Sequence, residues 1–281
     1  MKNKTKKIIA LLSLCTIALV NFIGCNSEAE GKDILYSNMK DKESRQEVFT
    51  ELKKHDVSDY QLNKLSQWMD DFNPYVADGQ LSNGFEKMKG DLVDYSNLEL
   101  KDMPSYYVNC RLTSFMIMRN ALNTNCKPDD SDTYLMLDLD AVDTDKQIAM
   151  TKEDKLQYAT LFNWVKLGNA KTLTQHIRKI ESALKERDVY IDNSRGMSLI
   201  NVYIHSTFDN ARFVGHTGVL VQTDDGLLFV EKYGPDTPFQ ATKFNHRSEL
   251  KKYLLARPDL YGEKTELAPI ITENTKVMKT K

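Results

Sequence analysis

The chain has 281 residues, of which 41% are apolar and 28% are charged, with 38 basic and 40 acidic side chains. This length and apolar fraction suit a single globular domain. The formal net charge of −2 argues against nucleic acid or anionic lipid as the binding partner. The sequence shows no internal repeat and no glycine-rich phosphate loop.

The first 24 residues have the pattern of a secretory signal. Four lysines precede the apolar run IIALLSLCTIALV, which is short for a permanent membrane span. The next residues, FIGC, resemble the lipobox of bacterial lipoproteins, although an ordinary signal peptide with a chance cysteine is the alternative. The resemblance implies cleavage after Gly24, acylation of Cys25 with chains such as palmitate, and anchorage at the extracytoplasmic face of the cell membrane. Residues 25–33 would then be a tether, and the mature chain would carry a charge of 34 − 40 = −6.

Helical periodicity dominates from residue 34 to about residue 188. Four helices are indicated by polar caps and apolar stripes in DKESRQEVFTELKKHD, VSDYQLNKLSQWMDDF, TKEDKLQYATLFNWVKLG and TLTQHIRKIESALKERD. A further helix is predicted to open near Cys110. The helix with the capping pattern Thr151 to Asp154 is expected to end at Gly168. Residues 74–105 are predicted as a loop with a short helix near Phe85.

Strand-like sequence follows from about residue 189. SLINVYIHS, ARFVGHTGVLVQ and GLLFVEKYG are rich in branched and aromatic residues and predict consecutive antiparallel strands. HRSELKKYLLARPDLYG predicts a late helix that Pro258 interrupts. The fold class is therefore α+β, with an N-terminal helical lobe followed by an antiparallel sheet. Residues 34–265 are predicted as one domain, and residues 266–281 as a C-terminal tail.

Three residues of this pattern could form a nucleophilic centre. The amides at a helix N-terminus stabilise a thiolate, and Cys110 stands at such a position. His216, at the entry of an apolar strand, could take the proton of the thiol, and Glu231, on the next strand, could orient the imidazole. An oxyanion would be stabilised by Asn109 or by the backbone N–H of Cys110.

The hairpin register determines whether Glu231 can reach His216. With a two-residue Asp225-Gly226 loop, Glu231 would lie opposite Leu220 and on the same face as His216, on the order of 13 Å along the strand. With a three-residue loop its side chain would point to the other face.

The order of these residues resembles that of papain-like cysteine hydrolases, which include the NlpC-type cell-wall peptidases. The resemblance spans roughly residues 105–245 and implies a papain-like arrangement with Cys110, His216 and Glu231 as catalytic residues and cell-wall peptides as substrates. Two positions depart from papain, because Pro104 and Arg111 stand where papain has a glutamine and an aromatic residue.

A second resemblance covers nearly the whole mature chain. NCR, GHTGVLV and FVEKYGPDTPFQATKF resemble an uncharacterised family of Gram-positive lipoproteins that is known only as a domain of unknown function (DUF4300-like). This resemblance implies no particular activity.

Simpler interpretations stay open for each candidate residue. Cys110 could be an inert core thiol or could pair with Cys126, although a continuous helix of about twelve residues would hold the two about 18 Å apart, too far for a disulfide. His205 is an alternative base. The acidic stretch LDLDAVDTD could bind calcium, but a solvated strand end is the favoured interpretation, and no metal site or cofactor is predicted.

Two functional hypotheses follow from these patterns. The first is a lipid-anchored cysteine amidase or peptidase that acts outside the cell, possible substrates being peptidoglycan peptides. The second is a catalytically silent surface lipoprotein that binds a peptide, a glycan or a protein partner. The reactivity of Cys110 toward a thiol-selective electrophile, relative to that of Cys126, distinguishes the two.

Overall fold

The computed structural model describes residues 32–103 and 108–280. The predicted signal segment, the predicted lipid-attachment residue Cys25 and the departure at Pro104 lie outside these ranges. Within them, no helix is both long enough and apolar enough to cross a membrane.

The described residues form a mixed α and β structure with seven α-helices and a large antiparallel sheet. The helices are α1 (Lys42–Lys54), α2 (Asp59–Phe72), α3 (Cys110–Met118), α4 (Met136–Thr144), α5 (Lys152–Phe162), α6 (Leu173–Glu186) and α7 (Arg247–Ala256). The strands are β1 (Leu35–Ser37), β2 (Glu86–Lys87), β3 (Leu122–Asn123), β4 (Val165–Lys166), β5 (Tyr190–Ile191), β6 (Met197–Ser206), β7 (Ala211–Thr223), β8 (Gly226–Gly234), β9 (Thr237–Phe244), β10 (Ile270–Glu273) and β11 (Lys276–Val277).

Most strands belong to one antiparallel sheet. Its order is β11-β10-β6-β7-β8-β9-β1-β2, with β4 paired to β7 beside this path, and β3 and β5 form a separate pair. The three long strands that alternation predicts are β6, β7 and β8, and they lie next to one another as expected. The predicted late helix is α7, which ends at Ala256, so Arg257 and Pro258 follow it directly.

Helices cover the sheet on both faces, so side chains on both sides of the central strands are buried. On one face, Leu199 and Val230 pack in a core with α1, α2, α3, α5 and α6, and this is called the helix-rich face. On the other face, Ile200 and Phe229 pack with α7, and this is called the α7 face. Successive residues of a strand point to opposite faces, which assigns each strand side chain to one of the two cores.

The sheet extends beyond the predicted boundary at both ends of the chain. β1 lies in the predicted helical lobe, yet it pairs with β9 through contacts such as Tyr36 with Thr242. The segment 266–281, predicted as a tail, supplies β10 and β11, and β10 pairs with β6. Strands of two to four residues carry too few alternations for their sequence to reveal them.

Three local predictions were wrong. α5 ends at Phe162 rather than at Gly168, because Val165 and Lys166 pair with β7 instead of continuing the helix. The segment near Phe85 leads into strand β2, not into a short helix. The helix that begins at Cys110 ends at Met118, so Cys110 and Cys126 do not share one continuous helix.

Candidate functional site

Cys110 is the first residue of α3, and its neighbour Asn109 caps the helix. The Asn109 Oδ1 accepts hydrogen bonds from the backbone N–H groups of Arg111 at 2.9 Å and of Leu112 at 3.1 Å, and its backbone carbonyl accepts from Thr113 at 3.0 Å. An asparagine in extended conformation is among the best residues at this position. The thiol therefore lies at the positive end of the helix, as the sequence predicts.

His216 lies in β7 directly after an irregularity of the sheet. Val202 pairs with His216 and Tyr203 pairs with Val214, so Gly215 is an extra residue, a β-bulge. A Cβ at Gly215 would lie 2.0 Å from Cδ1 of Ile204, which explains why glycine occupies this position. A bulge turns the side chain that follows it, and here that side chain is the imidazole.

The hairpin between β7 and β8 turns one residue earlier than predicted. Thr223 pairs with Gly226, so the two-residue loop consists of Asp224 and Asp225 rather than Asp225 and Gly226. Gly226 is a strand residue at φ +145°, and a Cβ there would lie 2.7 Å from the carbonyl oxygen of Phe244. Glycine is thus required here for the close approach to β9. The prediction that Gly226 belongs to the turn was therefore wrong.

The earlier turn keeps Glu231 on the predicted face and brings it closer to His216. Val219 pairs with Val230, which puts Glu231 level with Gly218 and two residues from His216 along the ladder, instead of four. Residues offset by two on neighbouring strands lie about 7–8 Å apart, within reach of long side chains. The Nε2 atom of His216 lies 2.5 Å from Oε2 of Glu231.

Cys110 reaches the imidazole where β7 and β8 part. The β7–β8 ladder ends at the Val219–Val230 pair, while His216 still pairs with β6 and Glu231 still pairs with β9. The side chains of Cys110 and His216 are hydrogen-bonded, and the backbone N–H of Thr217 also donates to the sulfur. Because Nε2 faces Glu231, Nδ1 is the ring nitrogen that remains for the thiol.

These contacts favour the charged form of both partners. Burial raises the pKa of Cys110, but the hydrogen bond from His216, the charges of His216 and Arg111, and the Thr217 N–H outweigh it and lower the pKa below 9.0. Burial and the charge of Arg257 lower the pKa of His216, but its bonds to Cys110 and Glu231 prevail and raise the pKa above 6.5. Both shifts therefore act toward a thiolate and imidazolium pair.

A buried hydrogen-bond network holds Glu231 in place. Its Oε1 accepts from the Tyr253 hydroxyl at 2.5 Å and lies 3.5 Å from Nε2 of Gln240, which in turn bonds the same hydroxyl at 2.9 Å. The Tyr95 hydroxyl donates to Oε1 of Gln240 at 2.7 Å, and Asn38 donates to the Tyr95 hydroxyl at 2.6 Å. Donors on α7 and β9 therefore fix the carboxylate that orients the imidazole, and Tyr95, from the segment after β2, holds the β9 donor Gln240.

Arg257, just beyond α7, also lies against Glu231. Its Nη1 is 3.2 Å from Oε2 of Glu231 and 3.2 Å from Nε2 of His216, and its side chain is almost completely buried. The guanidinium stacks over the Tyr233 ring at 3.8 Å and donates to the Tyr233 carbonyl at 2.8 Å. Its other edge binds both carboxylate oxygens of Asp259, at 3.2 and 2.7 Å.

Asp138 supports the residues on either side of Cys110. It lies in α4 and is buried, so the interpretation of LDLDAVDTD as a solvated strand end was wrong. Its Oδ1 accepts from Nδ2 of Asn109 at 2.7 Å, and its Oδ2 accepts from Nε of Arg111 at 2.6 Å and from the Tyr158 hydroxyl. Arg111 also donates to the Val214 carbonyl at 2.8 Å, which ties α3 to the strand that carries His216.

These bonds bear on the predicted oxyanion donors. Both polar ends of the Asn109 side chain are engaged, one with the α3 backbone and one with Asp138. The bonds of Asn109 to the first turn use the N–H groups of Arg111, Leu112 and Thr113, and none of them uses that of Cys110. The backbone N–H of Cys110 is therefore the better placed of the two predicted donors.

The centre is enclosed by protein. Cys110 exposes 6% of its surface and His216 exposes 1%. On the opposite side of β8 from Glu231, Lys232 is also buried, and its Nζ donates to the carbonyl oxygens of Gly234, Pro235 and Thr237. Burial lowers the pKa of Lys232 well below 10.5, although the nearby charges of Asp236 and Cys110 oppose this.

The other candidate residues lie elsewhere. His205 accepts from the backbone N–H of Leu267 at 2.9 Å and packs against His176, so it is not the base that contacts Cys110. Cys110 and Cys126 are both free thiols. No group of three or more His, Cys, Asp and Glu side chains in the described ranges could hold a metal ion.

Sequence inspection missed Asp138, Tyr253 and Arg257. Asp138 is one of several acids in its stretch, and only tertiary contact distinguishes it from them. Arg257 follows α7 directly and precedes Pro258 and Asp259, and this setting gave no sign that its side chain is only 2% exposed. A charged residue that is buried needs partners, and Glu231, the buried partner of Arg257, is distant in sequence.

One comparison with known proteins identifies a family. The model described as Domain of unknown function (DUF4300) matches residues 35–278, which include Cys110, His216 and Glu231. No curated protein and no solved structure matches the chain. The match spans nearly all of the described residues, so the chain belongs to the DUF4300 family.

Proposed function

We propose that this protein is a cysteine hydrolase with a papain-like (NlpC-like) arrangement, which cleaves amide or ester bonds outside the cell. The observation that supports this most is a line of three residues joined by two contacts, in which the thiol at the helix start bonds an imidazole whose other nitrogen bonds a buried carboxylate. A thiol, a base and a group that orients the base are the parts that covalent acyl transfer needs.

The reaction follows from the protonation states at the site. The thiolate of Cys110 attacks the carbonyl carbon, a C–S bond forms, and the carbonyl oxygen becomes an oxyanion that the Cys110 N–H stabilises. Nδ1 of the His216 imidazolium gives its proton to the leaving amine or alcohol as the bond to the acyl carbon breaks. Neutral His216 then takes a proton from water, the hydroxide adds to the thioester, and the acid product leaves as the thiolate and imidazolium re-form.

Glu231 acts on this reaction through His216. Its carboxylate accepts a hydrogen bond from the Nε2–H group, fixes the ring orientation and stabilises the imidazolium through the first half of the reaction. Tyr253 and Gln240 hold the carboxylate itself. In this proposal Tyr253, Gln240 and Glu231 set the position of the base and take no part in the covalent steps.

The proposed location and substrate come from the N-terminal sequence. FIGC after a basic and apolar segment supports a lipid anchor at Cys25, which would hold the domain on the extracytoplasmic face of the membrane. Peptide bonds of the cell wall are the amides at hand in that location. They are therefore the proposed substrates.

Hydrolysis of a panel of peptidoglycan peptides and simple esters tests the proposal. Cys110→Ser and His216→Ala should each lose hydrolysis while keeping the wild-type circular dichroism spectrum, and Cys126→Ser is the matched thiol control that should retain it. Hydrolysis that persists in Cys110→Ser would refute the assignment. If wild type hydrolyses no member of the panel and Cys110 reacts with electrophiles no faster than Cys126, the alternative of a silent binding lipoprotein is favoured.

A further inference from the structure

The contacts of Glu231 do not end at the three residues of the proposed centre. Arg257 lies on the far side of the carboxylate, and Asp259 lies on the far side of Arg257. From the sulfur outward the groups are Cys110, His216, Glu231, Arg257 and Asp259. When Cys110 is a thiolate and His216 is an imidazolium, the charges of these five groups alternate in sign along the whole line.

The line runs from the interior to solvent. The side chains of His216, Glu231 and Arg257 are each at most 2% exposed, whereas that of Asp259 is 54% exposed. Burial raises the pKa of Asp259, but its bonds to Arg257 and the charges of Arg257 and His216 outweigh this and lower the pKa. The outermost member is thus a carboxylate that solvent reaches, coupled to a buried imidazole through one guanidinium.

The side chains of Arg257 and His216 interact through their charges and not through a hydrogen bond. Nε2 of His216 donates to Glu231, so it cannot also accept from Nη1 of Arg257, although the two nitrogens lie 3.2 Å apart. Nη1 instead donates to Oε2 of Glu231, also at 3.2 Å. Arg257 therefore competes with the imidazolium for the same oxygen and repels its charge.

We propose that Arg257 and Asp259 are positioning residues which continue the Cys110–His216–Glu231 line to the surface as an alternating chain of charges and so govern the protonation of His216. This inference rests on the proposed function for its role in catalysis. The charge coupling itself requires only the geometry. Arg257 opposes the imidazolium, and Asp259 weakens that opposition because it partly neutralises Arg257.

Other titratable and charged groups lie beside this line, and they are the same in the wild type and in the variants. Tyr95, Tyr233 and Tyr253 surround Glu231 and Arg257, and burial raises the pKa of each, so these hydroxyls stay neutral near pH 7. On the side of the sulfur, Arg111 from α3 contributes a positive charge and Lys232 lies close by. None of these is altered in the variants below.

Two substitutions should therefore shift the titration of His216 in opposite directions. Arg257→Gln removes a positive charge and should raise the titration midpoint by about one pH unit or more. Asp259→Asn removes a negative charge and should lower the midpoint by a smaller amount. A general loosening of the structure would not produce two shifts of opposite sign.

The measurement is an NMR titration of the full-length chain with 13C-labelled histidine rings, in which the His216 signal is the one that His216→Ala removes. Arg247→Gln is the matched control, because it removes an arginine from the other end of α7 and should leave the midpoint unchanged. Arg257→Lys keeps the charge and should stay near the wild-type midpoint.

Opposite shifts support the chain of charges. Unchanged midpoints, or shifts of the same sign, overturn it. If Arg257→Gln does not fold, the half-exposed Asp259→Asn decides alone, and a midpoint that fails to fall refutes the proposal. The titration needs no substrate. An unhydrolysed panel together with a Cys110 no more reactive than Cys126 would therefore count against the proposed function without touching this result.

Discussion

His216 Nε2 lies 2.5 Å from Glu231 Oε2, although the two residues are offset along neighbouring strands. The contact exists because the β7–β8 loop lies one residue earlier than the sequence suggests and because a bulge precedes His216. With the loop in this position, the imidazole of His216 lies beyond the end of the β7–β8 ladder, where Cys110 can contact it.

Glu231→Gln should reduce both the rate of hydrolysis and the stability of the protein. The carboxylate raises the pKa of His216, so its loss should lower that pKa and favour the neutral pair of thiol and imidazole. Hydrolysis should fall roughly 10²- to 10⁴-fold. Because Arg257 loses its buried partner, stability should also fall by about 3–5 kcal/mol. Thermal unfolding and hydrolysis check both effects.

The matched control for Glu231→Gln is Glu273→Gln. Both carboxylate oxygens of Glu273 accept hydrogen bonds from Arg247, and this ion pair is partly exposed. Surface pairs contribute up to about 1 kcal/mol, so this variant should remain stable and active. Equal losses in the two variants would contradict the special role of Glu231.

Gly215→Ala should disturb His216 through steric overlap. The new methyl group would meet Ile204 at 2.0 Å and force the bulge or the isoleucine to move. Overpacking of this kind costs about 1–3 kcal/mol. The double variant Ile204→Ala/Gly215→Ala removes the obstacle and should regain hydrolysis relative to the single variant. If Gly215→Ala alone hydrolyses at the wild-type rate, the bulge does not set the imidazole position.

Asp138→Asn should destabilise the start of α3. The buried carboxylate accepts from Asn109, Arg111 and Tyr158, and an amide cannot accept from all three. Loss of one partner of a buried ion pair predicts about 3–5 kcal/mol less stability in urea unfolding, together with slower hydrolysis. Asp140→Asn, an exposed change in the same helix, should alter neither, and matching effects from Asp140 would refute the prediction.

Cys25→Ala should release the protein from membranes or stall its processing. The FIGC segment supplies the only proposed anchor, and acyl chains are what would hold the domain at the surface. Fractionation of cells, with Cys126→Ser as the thiol control, measures the effect. A Cys25→Ala variant that partitions with membranes as wild type does would show that the anchor lies elsewhere.

Long elements with clear periodicity could be predicted from sequence. The strands β6, β7 and β8 and the helices α1, α2, α6 and α7 follow apolar patterns with capping or turn residues at their ends. The short strands could not be predicted, because pairing with a distant strand, not local propensity, creates them. β10, for example, pairs with β6, which is distant in sequence.

The candidate site was predictable in part. Cys110 and His216 stood out because a thiol and an imidazole in these settings are unusual, and Glu231 because it interrupts an apolar strand. The supporting residues were not predictable, because a buried arginine such as Arg257 looks like any helix-end cation until its partners are known. The position of Gly226 also misled, since its glycine serves close packing against β9 rather than the turn.

The pH dependence of Cys110 alkylation tests the central claim most directly. In the Cys126→Ser background, iodoacetamide labelling of Cys110 is followed from about pH 5 to about pH 10. The midpoint does not depend on how accessible the sulfur is. The contacts with His216 and Arg111 predict a midpoint below 9.0, and His216→Ala should move it upward. A midpoint at or above 9.0 that His216→Ala leaves unchanged would show that the imidazole does not activate the thiol.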